Sequence, residues 1–449
     1  MKKLLYVALL AVGVIVMIAP PVMAQEEKPF TIHGEVRSRG EYQANASDFD
    51  KGANDNADFW PYRVRIAAEG RFAHNVAAWI EFQSAGEAGG TTTPVRQGNL
   101  DVFAGEGVEM YQGNITLNQL WSKNFSLRVG RQEIVAGNEL MLGDLDFYSG
   151  QSHDGFVANW NLKKVSLMLW ATRPAQVGLD RLRSNFTSPD RTFIGDVAGT
   201  QNFLGGYATW TFNKDQTFDV YLMDLDTKTA SNIETVGARY AHDLAGKTGF
   251  FWDVEFAKQF GKASYAGDVK AEGNVLEGWF GYNWRSGKNN HRVYGRLENA
   301  SGDDTGTTDK FEGFVPMFGD FHNRTGHGDW FQLANAPTNL GGGGIDGAAG
   351  GAGLQAWSAG YTGYYSDKHE FGVAYWKYTL DQNETLSGND DDDLGNSTDI
   401  WYGYNYSKNA TFTVSLSQLS PGKALKDISA TGNLDDTVTR LYGQVRLRF

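Results

Sequence analysis

Apolar and polar residues alternate along many short stretches of the chain, with aromatic or β-branched residues on one phase. The C-terminal stretch Leu441–Phe449 is typical, because its odd positions are apolar or small and its even positions are mostly polar. Period-two alternation predicts strands with one face in an apolar environment. Such stretches lie at 30–42, 61–70, 74–84, 109–121, 125–136, 153–160, 164–171, 203–212, 217–225, 233–242, 249–259, 273–284, 290–299, 353–365, 369–378, 397–406, 410–419 and 438–449.

The gaps between these stretches alternate between short and long. The short ones are Arg71–Ala73, Ser122–Asn124, Asn161–Lys163, Asn213–Gln216, Asp243–Thr248, Arg285–Asn289, Ser366–Lys368 and Ser407–Asn409, whereas the longest covers 300–352. Outer-membrane barrels join their strands by short periplasmic turns and long extracellular loops, while a soluble β-sandwich would not sort its gaps in this way. We therefore predict an all-β fold, a closed transmembrane antiparallel β-barrel of about 18 strands with an aqueous lumen.

Aromatic residues recur near the ends of the predicted strands. Rings at these positions are typical of the girdles that a membrane barrel places at the two lipid–water interfaces. The candidates are Phe59, Trp60, Trp121, Trp210, Trp284, Trp401, Tyr402 and Phe449.

Composition excludes several other classes of protein. The chain has no cysteine, so it contains neither a disulfide scaffold nor a thiolate metal site. After the first two dozen residues no run of ~18 apolar residues follows, which argues against a helical membrane protein. Lys and Arg total 40 and Asp and Glu total 53, and this acidic balance without a basic cluster makes nucleic acid a poor partner.

The N-terminus has the pattern of a secretory signal peptide. Lys2 and Lys3 precede an apolar stretch at 4–18, and Val22-Met23-Ala24 fits a small-residue cleavage site. We expect residues 1–24 to be removed and residues 25–449 to form the barrel. Export of a chain without cysteine favours the outer membrane of a Gram-negative cell, and lipid and lipopolysaccharide as its surroundings.

The phase of the strands also predicts which charged side chains face the lumen. Where apolar residues face lipid, the opposite phase faces inwards, and closure makes the last strand the neighbour of the first. Seven arginines then share three adjacent strands: Arg37, Arg39, Arg63, Arg65, Arg440, Arg446 and Arg448. Arginine presents a planar fork that suits carboxylate, sulfate or phosphate. An equally weighted alternative is that these arginines pair with Glu35, Glu69, Glu81 and Glu298 and only stiffen the wall.

Half-way round the predicted barrel, acidic residues take the inward phase. They are Asp219, Asp253, Glu255 and Glu277, with Arg239 as an exception. A basic wall facing an acidic wall would create a transverse field across the lumen.

Other candidate sites are weaker. The run Asp390–Asp393 is typical of a solvated loop rather than a Ca²⁺ site, and polar packing explains Asp320, His322, His327 and Asp329 better than a metal does. Stretch 300–352 is long enough to fold into the lumen as a constriction. Gly150-Gln151-Ser152-His153-Asp154 lacks the last glycine of a nucleophile elbow, so we predict no catalytic site, no resident metal and no cofactor.

Two sets of motifs resemble the alginate-export family of outer-membrane barrels. The first set is Leu127–Glu133, then Gly143–Tyr148, then His153–Phe156, and the second is Ala300–Asp304, Phe314–Gly319 and His327–Asp329. The glycine-rich stretch Gly341–Gly353 and the overall acidity depart from the family pattern. The resemblance implies an eighteen-stranded channel and an anionic polysaccharide as solute. It also adds Arg128 and Arg131 to the candidate lumen residues, although their phases differ and a bulge near Gly130 would be needed for both to face inwards.

Two classes of function remain open from the sequence. One is a passive porin-like channel for anionic oligo- or polysaccharide or for small organic anions. The other is a structural or interaction barrel, a protein sleeve or an adhesin, with a plugged lumen. In either case the terminal Phe449 resembles the C-terminal signal that the β-barrel assembly machinery reads.

Overall fold

The computed structural model of the protein describes most of the chain beyond the leader. It covers residues 30–45, 56–88, 107–175, 201–227, 232–263, 269–331, 352–382, 391–428 and 436–449, apart from single residues at 74, 145, 147, 149, 245, 305, 316, 321 and 323.

The described residues form strands and one short helix. The strands are β1 (Phe30–Ala44), β2 (Ala57–Phe59), β3 (Pro61–Ala73), β4 (Val76–Glu87), β5 (Glu109–Asn118), β6 (Phe125–Gln132), β7 (His153–Asn161), β8 (Val165–Pro174), β9 (Gln201–Asn213), β10 (Gln216–Thr227), β11 (Asn232–His242), β12 (Gly249–Ala263), β13 (Val269–Ala271), β14 (Asn274–Ser286), β15 (Asn289–Ala300), β16 (Lys310–Phe311), β17 (Leu354–Tyr365), β18 (His369–Thr379), β19 (Asp393–Asn405), β20 (Ala410–Pro421) and β21 (Val438–Arg448). The helix is α1 (Lys423–Ile428). Within this described part, no helix has the length and apolar character needed to cross a bilayer.

The strands close into a single antiparallel barrel. Each long strand pairs with the next along the chain, and β21 returns to pair with β1, where Val36 lies opposite Leu447. The short strands β2, β13 and β16 only extend this sheet at one end. The predicted all-β barrel of eighteen strands is confirmed.

The short and the long connections between strands lie at opposite ends of the barrel. Two residues separate β9 from β10 and β14 from β15, whereas 301–353 separates β15 from β17. The end with the short turns is the one that outer-membrane barrels place in the periplasm. The chain also ends there, because the backbone N–H of Phe449 donates to the carbonyl of Gly34 at 3.0 Å.

Exposure along the strands follows the period-two pattern. On β1 the side chains of Ile32 and Val36 are exposed, while Glu35, Arg37 and Arg39 are buried inside the barrel. Exposed apolar residues on the outer face are those that lipid would cover. The same alternation continues on β21, where Leu441, Val445 and Leu447 face outwards.

Two of the predicted girdle residues lie inside the barrel. Phe59 is buried against Tyr148, and Trp401 is buried on the inward phase of β19, where it stacks on His327. Their position near strand ends predicts an outward orientation for both rings, but their strand phase points them inwards. Trp60, Trp121, Trp210 and Phe449 are exposed, as a girdle requires.

Two long connections fold back into the barrel. We call residues 133–152, between β6 and β7, the first inner segment, and residues 301–331, after β15, the second inner segment. They meet in a short parallel bridge at Leu142 and Phe318. The N–H of Gly143 donates to the Phe318 carbonyl at 2.7 Å, and the N–H of Asp320 donates to the Glu139 carbonyl at 2.9 Å. The described part of stretch 300–352 therefore packs against the first inner segment.

The inward faces of several strands are apolar where the inner segments cover them. This differs from the expectation of a polar inward phase, because the segments bring their own apolar side chains and shield these positions from water. The segments contribute Ile134, Leu140, Met141, Leu142, Phe314, Val315, Met317 and Phe318 to a buried cluster that includes Val157, Trp170, Phe203, Tyr207, Tyr221, Met223, Leu225 and Ile233 of the wall.

The orientation of the barrel predicts which insertions a reagent can reach from outside the cell. Single cysteines introduced in the connections between strands within 85–108, 172–202 and 379–396 should react with a membrane-impermeant maleimide on intact cells. Cysteines at Asn161–Lys163 or Ser407–Asn409 should react only after the cells are lysed. Labelling of these short turns on intact cells would contradict the orientation.

The terminal residue closes the seam of the barrel, so its removal should reduce assembly. The ring of Phe449 lies over Gly34, where a Cβ atom would approach it to 2.4 Å. The N–H of Gly34 also donates to the Phe449 carbonyl at 2.8 Å. Deleting Phe449 should lower the amount of heat-modifiable, folded barrel in the outer membrane, whereas Phe449→Tyr keeps the ring and should assemble normally. Equal losses in the two variants would remove the case for a terminal apolar aromatic residue.

Candidate functional site

The candidate arginines occupy the inward phase of β21, β1 and β3. We call Arg37, Arg39, Arg63, Arg65, Arg440, Arg446 and Arg448 the arginine wall. The register places Arg446, Arg37 and Arg63 side by side in one row across the three strands. Like charges opposite each other on one face of a sheet repel, so this row requires counter-charges nearby.

Glu35 supplies part of that counter-charge from within the wall. It lies in the adjacent row, between Arg448 and Arg65. Its Oε1 accepts a hydrogen bond from Nε of Arg63 at 2.9 Å. Its Oε2 accepts from Nε of Arg446 at 2.7 Å and from Nε of Arg448 at 3.0 Å. One buried carboxylate therefore joins three arginines on all three strands.

Of the other carboxylates that the sequence suggests as partners of these arginines, one lies near the wall and two lie elsewhere. Glu81 lies 4.0 Å from Nε of Arg65. Glu69 instead pairs with Arg71 at 2.9 Å, outside the wall. Glu298 pairs with Arg296 at 3.0 Å, on the far side of the barrel. Pairing of the wall arginines with carboxylates therefore applies to Glu35 and Glu81 but not to Glu69 and Glu298. Glu41 is a further partner, because its carboxylate accepts a hydrogen bond from Nη2 of Arg440 at 2.8 Å.

The first inner segment places a further carboxylate, Asp146, in the centre of the arginine row. Its Oδ2 accepts from Nη2 of Arg446 at 2.7 Å, and its Oδ1 lies 3.5 Å from Nη1 of Arg65. Asp146 also forms an ion pair with Arg63, and its backbone carbonyl accepts from Arg37. A carboxylate carried by the protein itself therefore occupies the position with the most guanidinium groups around it.

Asp146 stays ionised over the physiological range. Burial acts to raise the pKa of its carboxyl, but the charges of Arg63, Arg65 and Arg37 outweigh burial and hold the pKa below its usual value of 3.8. A lowered pKa in the folded protein stabilises the fold above the usual carboxyl pKa, and this contribution is lost only as the pH falls through the lowered value. The contacts of Asp146 with the arginine wall should therefore persist at every pH from neutral down to about 4.

The wall is covered in its middle and open at its periplasmic end. Arg63 is 0% exposed and Arg440 is 1% exposed, because the inner segments lie against them. The side chain of Arg448, by contrast, is 61% exposed. A solute that enters from the periplasmic mouth therefore meets Arg448 and Arg446 before it meets Asp146.

Arg440 joins the two inner segments to the wall. Its Nη1 donates to the Gly328 carbonyl at 2.9 Å and lies 3.1 Å from Oδ2 of Asp329 in the second segment. The hydroxyl of Tyr148, in the first segment, donates to Glu41 at 2.8 Å. Asp329 also shares a 3.0 Å hydrogen bond with Nδ1 of His322. The covering of the wall is thus fixed by buried polar contacts as well as by apolar packing.

The acidic wall faces the arginine wall from strands β10 to β14. Arg239, the basic exception on β11, lies at its centre. Its Nη1 donates to Asp219 at 2.8 Å, its Nε donates to Asp253 at 2.7 Å, and Nε lies 4.0 Å from Glu255. The hydroxyl of Tyr221 donates to Glu255 at 2.7 Å. Three of the four predicted acidic residues therefore surround one arginine.

The fourth acidic residue, Glu277, contacts both the wall and the inner segments. It lies 3.2 Å from Nη2 of Arg296 and forms an ion pair with Arg324 of the second segment. Arg324 in turn donates to the carbonyl of Asn138, in the first segment, at 2.7 Å. Arg239, Arg296 and Arg324 therefore balance much of the charge of the acidic wall.

Arg128 and Arg131 point to opposite faces of β6. Arg128 lies on the inward phase and donates to the Glu133 carbonyl at 2.9 Å. Arg131 lies on the outward phase, where its Nε donates to Asp154 at 2.8 Å. The expectation that Arg131 lines the lumen is therefore corrected. Gly130 has a φ of 120°, but the register along β6 contains no extra residue that would turn both arginines inwards.

The weaker candidate residues lie in different contacts, and one of them, Asp320, joins two carboxylates that the sequence did not single out. His327 stacks on Trp401 with ring centroids 4.4 Å apart, while His322 shares its hydrogen bond with Asp329. Asp390 lies outside the described residues, while Asp391 lies 3.2 Å from Lys423. Among the described residues, Glu139, Asp144 and Asp320 bring their carboxylates within 4.8 Å of one another, where the inner segments meet. Burial raises the pKa of Glu139 and of Asp144.

Sequence reasoning missed most of the residues that the inner segments bring to the walls, and it considered Asp329 only as a weak candidate for a metal ligand. Asp146, Arg324 and Asp329 lie in connections without strand periodicity, so no phase rule assigns them a direction. The available signal for Asp146 and Asp329 was that both lie in the motifs of the family resemblance. Arg239 was recognised only as an exception, although an isolated arginine among inward acidic residues indicates an ion-pair centre.

Comparison with known proteins agrees with this architecture at the level of fold. No curated protein sequence matches the chain significantly. Crystal structures of Pseudomonas aeruginosa OpdO and OprD superpose with TM-scores of 0.59 and 0.60, at 13% and 12% sequence identity. Each match covers 94% of this chain, with 97% of OpdO and 95% of OprD. A structure of P. aeruginosa OccK2 (OpdF) in complex with glucuronate has a TM-score of 0.59 at 15% identity, and covers 95% of this chain and all of that one.

The sequence itself matches one protein family over most of its length. The matching family is described as alginate export, and the match runs over residues 28–433. Family and fold are those of transport porins of the Gram-negative outer membrane rather than of enzymes. This chain therefore belongs to the alginate-export family of outer-membrane β-barrels.

Proposed function

We propose that this porin-like barrel passes anionic solutes along the arginine wall by passive diffusion. The solute class is oligo- or polysaccharide with carboxylate groups, or small organic anions. Arg446 and Arg448 at the open end of the wall receive the anion first, and Arg37, Arg63 and Arg65 bind it where Asp146 now lies. Arg39 and Arg440 continue the wall beyond that point, and Arg128 adds one more inward cation.

The position of Asp146 is the observation that supports this proposal most strongly. A carboxylate lies among Arg63, Arg65 and Arg446, with contacts of 2.7 Å to Arg446 and 3.5 Å to Arg65. Charge-assisted hydrogen bonds of this kind bind any carboxylate of suitable geometry. A solute carboxylate that displaces Asp146 would find the same donors, so the side chain acts as a tethered competitor for the site.

The acidic wall has a complementary role in this proposal. Asp219, Asp253, Glu255 and Glu277 repel anions, so they direct a negatively charged solute towards the arginine wall. Because arginines balance these carboxylates in part, the repulsion acts over short range, within a Debye length of ~8 Å at physiological salt.

The comparisons support a uronate as the first solute to test. The family is described as alginate export, and alginate is a polymer of uronic acids. OccK2, which shares the fold, was crystallised with glucuronate, a single uronic acid. At 15% identity this likeness concerns the fold alone, so it suggests glucuronate as a probe and leaves the residues to be tested here.

Flux through proteoliposomes tests the proposal. Vesicles that contain the mature protein should take up glucuronate faster than uncharged glucose, which has nearly the same size. The advantage of glucuronate should shrink as salt rises from about 0.05 to 0.5 M, because screening weakens the attraction of the wall. Equal uptake of the two sugars at low salt would contradict the proposal.

One observation favours a second candidate, a structural or interaction barrel with a plugged lumen. The inner segments bury Arg63 and Arg440 completely and pack apolar side chains against the wall. A plugged barrel would give no single-channel steps in a planar bilayer with either salt or glucuronate. Steps of conductance from the folded wild-type protein would exclude it.

The proposal also includes the position at which the signal peptide is cleaved. We propose that residues 1–24 direct export and are removed near Ala24, which leaves Gln25 as the first residue. Mass spectrometry of the protein purified from outer membranes tests this boundary directly, and an intact mass that includes the leader would contradict it.

A further inference from the structure

Every short turn at the periplasmic end carries at least one basic residue, although the chain as a whole is acidic. We call this set the basic ring: Arg71, Lys123, Lys163, Lys164, Lys214, Lys247, Arg285, Lys288, Lys368 and Lys408. The same turns contain only three acidic residues, Asp215, Asp243 and Asp367. Without these turns the net charge of the mature chain would be even more negative. The turns therefore form a rim with a net positive charge.

Most of the lysines in the ring are exposed and make no ion pair within the described part of the chain. Lys247 binds Asp215 at 2.8 Å, and Arg71 binds Glu69 at 2.9 Å. Lys214 interacts with Asp215 and Lys247, whereas the described residues include no carboxylate partner for the ammonium groups of Lys123, Lys163, Lys164, Lys288, Lys368 and Lys408. Their charge is not needed to balance the barrel itself, so it is available to an external anion.

The ring lies immediately beside the outward aromatic girdle. Lys163 and Lys164 follow Trp160, and Lys214 follows Trp210, two tryptophans that are exposed on the outer face. Aromatic rings in such girdles sit at the level of the lipid headgroups. A lysine a few residues closer to the turn then places its ammonium at the depth of the phosphate groups, with its alkyl stem along the apolar surface.

Two outward histidines mark the same level. His291 lies on the outward phase of β15, and its Nδ1 shares a 2.8 Å hydrogen bond with the hydroxyl of Tyr361. His369 lies on the outward phase of β18 and makes the same contact, also at 2.8 Å, with Tyr402. Polar groups on the outer face of a barrel belong at the interface rather than in the hydrocarbon core. The headgroup layer therefore meets the barrel directly beside the ring.

We propose that the basic ring binds anionic phospholipid of the periplasmic leaflet, with lysine ammonium groups on the lipid phosphates. Its position favours lipid over a periplasmic polymer, because the turns lie on the outer circumference beside outward side chains. A polymer that enters the mouth would instead contact inward residues such as Arg446 and Arg448. The surface is separate from the lumen, so the proposal holds or fails independently of anion transport.

Lipid selectivity measured in vesicles tests the proposal. The mature protein is reconstituted in phosphatidylcholine with spin-labelled phosphatidylglycerol or spin-labelled phosphatidylcholine, and electron spin resonance gives the immobilised fraction of each. A lysine beside a lipid site should favour the anionic lipid about fivefold at low salt. Wild-type protein should therefore immobilise phosphatidylglycerol several-fold more strongly, and this preference should fall as salt rises.

A local variant and a charge-matched control give the test its specificity. Lys163→Gln, Lys164→Gln and Lys214→Gln remove three neighbouring ammonium groups and should lower the preference by about half. The control removes three lysines of the opposite rim that already face carboxylates: Lys310, Lys377 and Lys423, each replaced by Gln. It should leave the preference unchanged.

Several results would overturn the proposal. One is a wild-type protein with no preference for phosphatidylglycerol, and another is a folded ring variant that keeps the full preference. If the ring variant and the control lost the preference for phosphatidylglycerol equally, the preference would depend on net charge and not on the position of the lysines. Displacement of the lipid by an equal concentration of inorganic phosphate, or of a soluble polyuronate, would assign the ring to a soluble anion instead.

Discussion

Replacing Asp146 with asparagine is expected to make the arginine wall bind soluble carboxylates more tightly. The substitution removes the tethered competitor and keeps the shape of the side chain, so a solute carboxylate can take the place of Asp146 among Arg63, Arg65 and Arg446. A hydrogen bond to a charged group contributes about 1.5–3 kcal/mol, which predicts at least a tenfold gain in glucuronate affinity. Glucuronate block of single-channel current measures this affinity.

The same variant should also lose stability, and added carboxylate should restore it. Without Asp146 the row of Arg446, Arg37 and Arg63 keeps Glu35 but loses its central carboxylate, and uncompensated buried charge is destabilising. A ligand that binds only the folded protein raises its melting temperature, so acetate or glucuronate should rescue Asp146→Asn more than wild type.

Asp144→Asn is the matched control for both effects. Asp144 lies two residues away in the same segment, and its Oδ1 accepts from the N–H of Asp146 at 3.0 Å, a bond that asparagine can keep. It should bind glucuronate as wild type does. A gain in affinity of the same size in the two variants would mean that segment charge, rather than the Asp146 site, controls binding.

The second large effect is expected when the wall itself loses charge. Changing Arg37, Arg39, Arg63 and Arg65 together to glutamine removes Arg63 from Glu35, Arg39 from Glu41, and Arg63 and Arg65 from Asp146. The local potential should fall by several kT within ~8 Å, so the channel should change from anion to cation preference, most clearly at low salt. Uptake of glucose should change little, because the width of the pore is nearly kept.

Lysine at the same four positions separates charge from structure. Lysine keeps the positive charge but lacks the planar fork of arginine. The lysine variant should keep anion preference with some loss of thermal stability, whereas the glutamine variant should lose both. If the folded glutamine variant kept its anion preference while its stability fell, the arginines would be only structural.

The sequence predicted the barrel well because lipid constrains every strand in the same way. Each strand must expose apolar side chains on alternate positions, as Val36 and Val445 do, and the turns must alternate in length because the strands run up and down. The alternation along the strands alone predicts an inward position for the seven arginines and four acidic residues of the two walls, because every side chain within a regular strand follows it.

The interior of the barrel was less predictable, because its connections follow no such rule. The motif around Asp146 gave no indication that the segment folds inwards, and Phe203 and Trp170 were not recognised as the surface on which the inner segments pack. The inward assignment of Arg131 failed because a family motif was given priority over the strand phase. The interior depends on long-range contacts, such as Leu142 with Phe318, that local pattern does not encode.

The reversal potential under a tenfold KCl gradient tests the central claim most directly. The account predicts an ordered series in which Asp146→Asn is the most anion-selective, wild type is intermediate, and the four-glutamine variant is the least anion-selective. The order follows from the charge left on the arginine wall and not from the width of the pore. Three folded, conducting barrels with the same reversal potential would contradict a pathway along the arginine wall.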